Sequence, residues 1–210
     1  MGIATALIVD DHELFRGGLK LLLNEMVGFE HIVEVGNFEQ AQDVIVAGLS
    51  PDLVTFDLSM PGLSGEEGLA ALADALPNAR LVVIAGSERR EDILGALGAG
   101  AHGYIPKSLG AAETAAALRD VLAGRIFVPK VLNRGDQALP QPHVAGTGLL
   151  KGYSFTARQR SVVDCLLTGA STRKIAADLG LAEGTVKIHL AAIFRIVGVH
   201  SRAEVIAKLK

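Results

Sequence analysis

The first 124 residues alternate short apolar stretches with longer amphipathic ones, five times in succession. Strands are predicted over 4–9, 31–35, 52–56, 80–84 and 102–105, and helices over 13–26, 37–47, 65–75, 90–99 and 110–123. Five strand–helix repeats predict an α/β domain in which a doubly wound, five-stranded parallel sheet carries helices on both faces. Ligands of such sheets bind at the carboxyl ends of the strands.

The composition excludes several other classes of protein. The single cysteine, Cys165, cannot form an intrachain disulfide and lies in an apolar run typical of a small core residue. No basic segment followed by an apolar one opens the chain, and no apolar run reaches the ~18 residues that a membrane helix needs. We therefore expect a cytoplasmic protein that does not use a membrane as a partner.

The charges divide the chain into two unlike ends. Residues 1–128 carry 18 acidic and 8 basic side chains, whereas residues 152–210 carry 4 acidic and 9 basic ones. Pro and Gly recur between them, which is typical of a linker. The sequence thus predicts an α/β domain over 1–124, a linker over 125–152 and a helical domain over 153–210. The basic helical domain is the candidate for nucleic-acid binding.

Charged side chains follow three of the predicted strands. Asp10 and Asp11 end the first strand, Asp57 ends the third, and Lys107 follows the fifth. Parallel strands bring these ends to one edge of the sheet, where clustered carboxylates favour Mg²⁺. A nearby lysine can hold a phosphate, and a carboxylate can itself be phosphorylated. Strand-end acids that only face water are the alternative, which four matching positions disfavour.

Three motifs in this domain resemble the receiver domain of two-component response regulators. They are Ile8-Val9-Asp10-Asp11-His12, Phe56-Asp57-Leu58-Ser59-Met60-Pro61-Gly62 and Gly103-Tyr104-Ile105-Pro106-Lys107-Ser108. The resemblance spans about residues 4–124 and implies a flavodoxin-like fold. It implies that Asp57 is the phosphoacceptor, that Lys107 pairs with the phosphoryl group and that Tyr104 is the switch aromatic. Mg²⁺ would be bound by Asp10, Asp11, Asp57 and the backbone carbonyl of Ser59.

The sequence departs from the receiver pattern at the end of the fourth strand. Receivers carry a Ser or Thr there, and its hydroxyl bonds the phosphoryl group. In this sequence the position falls on Ala85. A hydrogen bond to a charged group contributes roughly 1.5–3 kcal/mol, so its loss weakens the response to phosphate about ten- to a hundredfold. One hypothesis is that Ser87, two residues on, substitutes for the missing hydroxyl.

The C-terminal part of the sequence is predicted to form four helices. Thr156 and Gln159 form a capping box before a helix that Gly169 stops. Helices follow over 172–179, from 183 to about 197 and from 202, and a tight Gly-containing turn between two of them is the helix-turn-helix pattern. The third helix is amphipathic, and its outward face offers side chains that can reach bases or phosphates: Lys187, Ile188, Ala191 and Arg195.

The segment 154–210 resembles the LuxR-type DNA-binding domain. The motifs are Phe155-Thr156-Ala157-Arg158-Gln159-Arg160, Gly169-Ala170-Ser171-Thr172-Arg173-Lys174-Ile175-Ala176, Gly184-Thr185-Val186-Lys187-Ile188-His189 and Gly198-Val199-His200-Ser201-Arg202-Ala203-Glu204. The resemblance places Thr185 with the DNA-binding residues. Arg173, Lys174 and Arg202, near helix ends, are predicted to contact phosphates.

A receiver followed by a LuxR-type domain is the arrangement of NarL/FixJ-class response regulators. The resemblance implies a transcription regulator that binds double-stranded DNA, is phosphorylated by a sensor histidine kinase or a phosphotransfer protein, and is a homodimer when active through its last helix. Three alternatives remain open. They are an aspartyl-phosphate phosphatase, disfavoured by Ser59 where that family has a second Asp; a metabolite-sensing LuxR-type regulator; and the same architecture with weak or no dependence on phosphate, because of Ala85.

Overall fold

The parallel sheet predicted from the sequence is present in the computed structural model, which describes residues 4–60, 65–129, 147–150, 152–181 and 183–210. Its strands are β1 (Thr5–Val9), β2 (His31–Val35), β3 (Leu53–Phe56), β4 (Arg80–Ala85) and β5 (Gly103–Pro106). They pair in the order β2-β1-β3-β4-β5, and every pair is parallel. The doubly wound α/β prediction is therefore confirmed.

Two helical layers cover the sheet because its strands are apolar on both faces. The helices are α1 (Glu13–Leu22), α2 (Phe38–Val46), α3 (Gly65–Ala75), α4 (Arg90–Gly98) and α5 (Ala111–Leu122). Helices α1 and α5 pack with Ala6 and Ile8 on one face, and α2, α3 and α4 pack with Leu7 and Val9 on the other. All four of these β1 side chains are fully buried.

The first helix differs from its prediction over 13–26. Its regular part ends at Leu22 and continues as a π-helical turn over Leu23–Val27. Gly28 then ends the segment with φ 96°, a left-handed conformation that glycine adopts without strain. The backbone amides of Gly28 and Phe29 both donate to the carbonyl of Leu23.

A two-stranded antiparallel sheet that the sequence did not predict precedes the C-terminal helices. Strand β6 (Thr147–Leu150) pairs with β7 (Tyr153–Thr156), where a linker end and a helical start had been expected. Gly152 has φ 84° and so permits the tight connection between them. Phe155 of β7 is fully buried in the C-terminal core, which ties the hairpin to the helices. Residues 130–146 and 151 of the predicted linker lie outside the described residues.

The C-terminal helices follow the prediction closely. They are α6 (Ala157–Leu167), α7 (Thr172–Leu179), α8 (Glu183–Val197) and α9 (Arg202–Leu209). Thr156 and Gln159 form the predicted capping box, and Ser171 and Ser201 cap α7 and α9. A second core of side chains from all four helices holds them together. No helix within the described ranges is long and apolar enough to cross a membrane.

Candidate functional site: an acidic pocket and a covered recognition helix

Three strand ends meet at one edge of the sheet and form an acidic pocket, which we define by Asp10, Asp11, His12, Asp57 and Lys107. Asp10 and Asp57 directly follow β1 and β3, and the amide of Asp57 donates to the carbonyl of Val9. Both side chains are almost completely buried, at 3% and 2% exposure. The parallel register thus brings together carboxylates that are 47 positions apart in sequence.

Lys107 joins the two buried carboxylates. Its Nζ lies 2.7 Å from Asp57 Oδ2 and 2.8 Å from Asp10 Oδ2, and it lies 4.5 Å from the centre of the Phe15 ring. Burial acts to lower the pKa of Lys107, but the hydrogen bonds to Asp10 and Asp57 and the negative charges of these residues together raise that pKa above the usual value. The ammonium therefore stays charged and offsets part of the carboxylate repulsion.

Backbone amides hold the carboxylates in position. The amide of Ser59 donates to Asp57 Oδ1 at 2.9 Å, and the amide of His12 donates to Asp10 Oδ1 at 2.7 Å. A cavity of about 510 Å³ opens beside them and is lined by His12, Leu14, Phe15, Asp57, Ser59, Gly86 and Lys107. A molecule in this cavity would reach the Asp57 carboxylate from solvent.

The donor set of the pocket fits a divalent cation. Oxygen atoms of Asp10, Asp11 and Asp57 and a ring nitrogen of His12 all lie within 4.8 Å of one another. Carboxylate oxygens are hard ligands of the kind that Mg²⁺ prefers. The predicted ligand residue Ser59 lines the same cavity. Receiver-type chemistry at Asp57 is therefore compatible with the residues present.

A second cavity adjoins the acidic pocket at the end of β4. Its volume is about 480 Å³, and its lining includes Ser59, Ala85, Ser87, Asp92 and Tyr104. Ala85 ends β4, and its carbonyl accepts from the amide of Lys107 at 2.8 Å. The position predicted to lack a hydroxyl thus lies directly beside the lysine of the acidic pocket.

Ser87 and Tyr104 are joined to each other rather than to Asp57. The Ser87 hydroxyl donates to the Asp92 carboxylate at the start of α4, and the Tyr104 hydroxyl donates to the backbone carbonyl of Ser87 at 2.7 Å. Tyr104 is fully buried, and burial and the charges of Asp92 and Asp57 raise its pKa to about 12. Tyr104 is therefore a neutral hydrogen-bond donor at physiological pH.

The predicted DNA-binding residues lie in different environments. Lys187, Arg195, Arg173 and Lys174 are exposed, Ala191 and Arg202 are half-buried, and Thr185 is buried; the side chain of Ile188 lies outside the described part. Two of these cations have protein partners. Lys174 pairs with Asp178 at 3.1 Å, and Arg202 donates to the carbonyl of Ala170.

Helix α8, the predicted recognition helix, packs against α2 and α3 of the N-terminal domain. Ala192 of α8 is 2% exposed and belongs to the core cluster of the N-terminal domain. At the start of α8, Gly184 lies against the Gln42 side chain, which is 7% exposed, and a Cβ at Gly184 would overlap it. One side of the recognition helix is thus covered by the receiver-like domain.

A hydrogen bond between α6 and α3 also joins the two domains. Gln159 Nε2 donates to the carbonyl of Asp74 at 2.5 Å, while its Oε1 accepts from the amide of Thr156 at 3.0 Å. Burial raises the pKa of Asp74, against the opposing effects of Thr156 and Arg158. Sequence reasoning identified Gln159 only as a capping residue and missed Asp74 and Gln42, because nothing local in the sequence indicates a contact across 85 positions.

An open cavity of about 800 Å³ separates the rest of α8 from α2. It is lined on the receiver side by Gln42, Asp43, Ile45, Val46 and Gly48, and on the other by residues that include Lys187, Ala191 and Arg195. Of the predicted base-reading residues, Lys187, Ala191 and Arg195 therefore face the N-terminal domain across this gap. In this conformation they are not positioned to enter a DNA groove.

An acidic sheet edge with a paired lysine, joined to a helix-turn-helix, defines a response regulator. The receiver domain of response regulators matches residues 6–119, and the DNA-binding domain of bacterial regulatory proteins of the luxR family matches residues 153–209. The chain belongs to the DNA-binding response regulators of the LuxR family. The members of this family are transcription regulators.

Relatives extend the similarity over almost the whole chain. The chain is 30% identical over 208 residues to the nitrate/nitrite response regulator protein NarL of Escherichia coli K12, covering 96% of this chain and 92% of NarL. It is 33% identical over 207 residues to the transcriptional activator protein ExaE of Pseudomonas putida, covering 98% and 94%. A LuxR family DNA-binding response regulator from Silicibacter pomeroyi has a TM-score of 0.53 and 32% identity, over 61% of this chain and 98% of that one.

Proposed function

We propose that phosphorylation of Asp57 controls the binding of this chain to double-stranded DNA. The phosphoryl donor is a sensor histidine kinase or a phosphotransfer protein. The observation that supports this most directly is the arrangement at Asp57, whose buried carboxylate opens on a cavity and has Lys107 Nζ 2.7 Å away. A carboxylate held in this way is available as a nucleophile, and an ammonium beside it can accept the charge of a phosphoryl group.

The chemistry is a transfer of one phosphoryl group. An Asp57 carboxylate oxygen attacks phosphorus, the phosphorus–nitrogen bond of the donor phosphohistidine breaks, and its electron pair returns to the imidazole. Lys107 exchanges its hydrogen bond to Asp57 for one to a phosphoryl oxygen. Asp10, Asp11, Asp57 and the Ser59 carbonyl would hold Mg²⁺, which would supply charge neutralisation for the transfer.

Control of DNA binding follows from the packing of α8. While α2 and α3 cover one side of α8, Lys187, Ile188, Ala191 and Arg195 cannot read bases. Phosphorylation favours a state in which the two domains separate and two chains pair through α9. The recognition helices then enter successive major grooves, with Thr185 at the interface and Arg173, Lys174 and Arg202 on phosphates.

Two linked measurements test this proposal. Wild type should take label from a radioactive acyl phosphate and Asp57→Ala should not. Asp120→Asn, which changes a half-exposed acid on α5 paired with Arg125, should behave as wild type. DNA selected from a random library by the phosphorylated protein should bind the unmodified protein about tenfold or more weakly. Label retained by Asp57→Ala would exclude Asp57 as the acceptor, and equal DNA affinities would exclude control by phosphate.

A second candidate function keeps DNA binding and drops phosphate control. It is favoured by Ala85, which offers no hydroxyl to a phosphoryl group, and by the Ser87 hydroxyl, which is bonded to Asp92. The Ser87 hydroxyl could replace the missing hydroxyl at position 85 only by breaking its hydrogen bond to Asp92. If Ser87→Ala leaves the response to the acyl phosphate unchanged, the substitution hypothesis fails. If wild type takes the label without any change in DNA affinity, the second candidate is the better one.

A further inference from the structure

The imidazole of His12 lies among the carboxylates of the acidic pocket. Its Nδ1 is 2.9 Å from Asp11 Oδ1, 3.3 Å from Asp10 Oδ1 and 3.7 Å from Asp57 Oδ2. The backbone amide of His12 donates a hydrogen bond to Asp10, and the side chain is 63% exposed. A nitrogen ligand is therefore within reach of any cation that these carboxylates bind.

Nitrogen and oxygen donors select different cations. Mg²⁺ prefers carboxylate and water oxygen, and it gives up water reluctantly. Imidazole nitrogen suits first-row transition metals, and affinity for a mixed site rises from Mn²⁺ through Co²⁺ to Ni²⁺. A transition metal can therefore bind both the three carboxylates and the imidazole, whereas Mg²⁺ is expected to bind the carboxylates without the imidazole.

We propose that His12 is a metal ligand, which raises the affinity of this cation site for divalent first-row transition metals relative to its affinity for Mg²⁺. The proposal rests on the cation site of the proposed function and adds His12 and the class of metal. It predicts that His12 contributes to the binding of Ni²⁺, Co²⁺ and Mn²⁺ through a direct bond. It also predicts that Mg²⁺, which does not need the imidazole, binds almost equally well without it.

A different role for His12 makes a different prediction. A protonated His12 paired with Asp11 would be a competing cation, since its positive charge would oppose every divalent ion equally. Removing it would then raise the affinity for Mg²⁺ and Ni²⁺ by the same factor. The ratio of the two affinities therefore separates a ligand from a competing charge.

The test measures binding of Ni²⁺ and of Mg²⁺ to the full chain by calorimetry at pH 7.5. His12→Ala and His12→Gln are compared with wild type, and His31→Ala is the matched control because His31 is exposed at the opposite edge of the sheet. Loss of an outer-shell partner of a metal ligand already lowers metal affinity by about 10–100-fold, so loss of a direct ligand should lower it by at least as much. We expect that loss for Ni²⁺ in both His12 variants, a change of less than about threefold for Mg²⁺, and wild-type values for His31→Ala.

Electron spin echo spectra of the Mn²⁺-loaded protein give a second readout. Modulation from a directly bound nitrogen should be present in wild type and His31→Ala and absent in His12→Ala. An unchanged Ni²⁺ to Mg²⁺ affinity ratio in the His12 variants would overturn the proposal while leaving the Mg²⁺ site intact. Failure of wild type to bind either ion would instead contradict the cation site of the proposed function, and the present inference with it.

Discussion

Gln159 of α6 donates a hydrogen bond to the backbone carbonyl of Asp74 in α3. This bond joins the first turn of α6, in the DNA-binding domain, to the receiver domain. The same side chain caps its own helix by accepting from the amide of Thr156. A single glutamine therefore has one role within its domain and another between domains. These two roles can be separated, because one uses the amide nitrogen and the other the amide oxygen.

Gln159→Glu should weaken the closed arrangement and leave the cap intact. A glutamate can still accept from Thr156, but it cannot donate to Asp74 and places a carboxylate against that carbonyl. Loss of about 1 kcal/mol corresponds to about fivefold, so DNA affinity of the unphosphorylated protein should rise by about that factor, measured by fluorescence anisotropy. After beryllofluoride treatment, variant and wild type should bind equally. Unchanged affinity in the untreated state would show that this bond does not hold the domains together.

Lys107→Ala should destabilise the receiver domain. Asp10 and Asp57 would remain buried without the ammonium that lies between them. Because Lys107 is partly exposed, we expect a loss of about 2–3 kcal/mol in the free energy of unfolding in EDTA, below the loss at a fully buried pair. Urea titration measures it, and saturating Mg²⁺ should restore part of it. Lys20→Ala, which breaks the exposed pair with Glu34, should cost less than about 1 kcal/mol.

His189 should make the folded protein sensitive to acid. It is 1% exposed, and burial and the charge of Arg158 lower its pKa to about 4. An unfolded histidine has a pKa near 6.5, so the unfolded state binds more protons between about pH 4 and 6.5. The contribution of His189 to the free energy of unfolding is therefore fully present above pH 6.5 and is lost as the pH drops toward 4. The free energy of unfolding should fall by about 2 kcal/mol between pH 7 and pH 5.

The pH dependence of urea unfolding measures this contribution. His189→Gln should reduce the loss between pH 7 and pH 5, and His31→Gln, which changes an exposed side chain, should not. His102 also has a lowered pKa, mainly through burial, and should account for part of the slope that remains. An identical slope in His189→Gln and wild type would contradict the assignment.

Ala85→Ser should strengthen the response to phosphate. The added hydroxyl would lie in a cavity of about 480 Å³ at the end of β4, next to the backbone of Lys107. A hydrogen bond to a charged phosphoryl group contributes about 1.5–3 kcal/mol. The ratio of DNA affinities with and without beryllofluoride should then increase about ten- to a hundredfold. Ala112→Ser, on the exposed side of α5, is the control, and an equal ratio in both variants would exclude a role for position 85.

The sequence predicted the receiver fold well, because each strand is a short apolar run that ends in turn residues or charges. It also predicted which carboxylates share a sheet edge, since parallel strands leave little choice. The β6–β7 hairpin was missed because its four-residue strands mix Ser154 and Thr156 with apolar residues and adjoin a Pro- and Gly-rich segment. The π-helical turn after α1 was missed because its apolar spacing also fits a regular helix.

Contacts between the domains could not be predicted for a different reason. Gln42, Gly184 and Gln159 each satisfy a local pattern within their own helix, and none carries a charge or motif that indicates a distant partner. The roles of Asp57, Lys107 and Tyr104 stay predictions until phosphorylation is measured. Their placement, by contrast, follows from strand order and register alone.

The close approach of Gly184 to Gln42 has an evolutionary consequence. Under the proposed function, positions on this side of α8 contact DNA in one state and the receiver domain in the other. A larger or more basic side chain that improved operator affinity would also displace Gln42 and expose the helix. Under the proposed function, selection for tighter operator binding is therefore coupled to weaker masking of α8 in the unphosphorylated state.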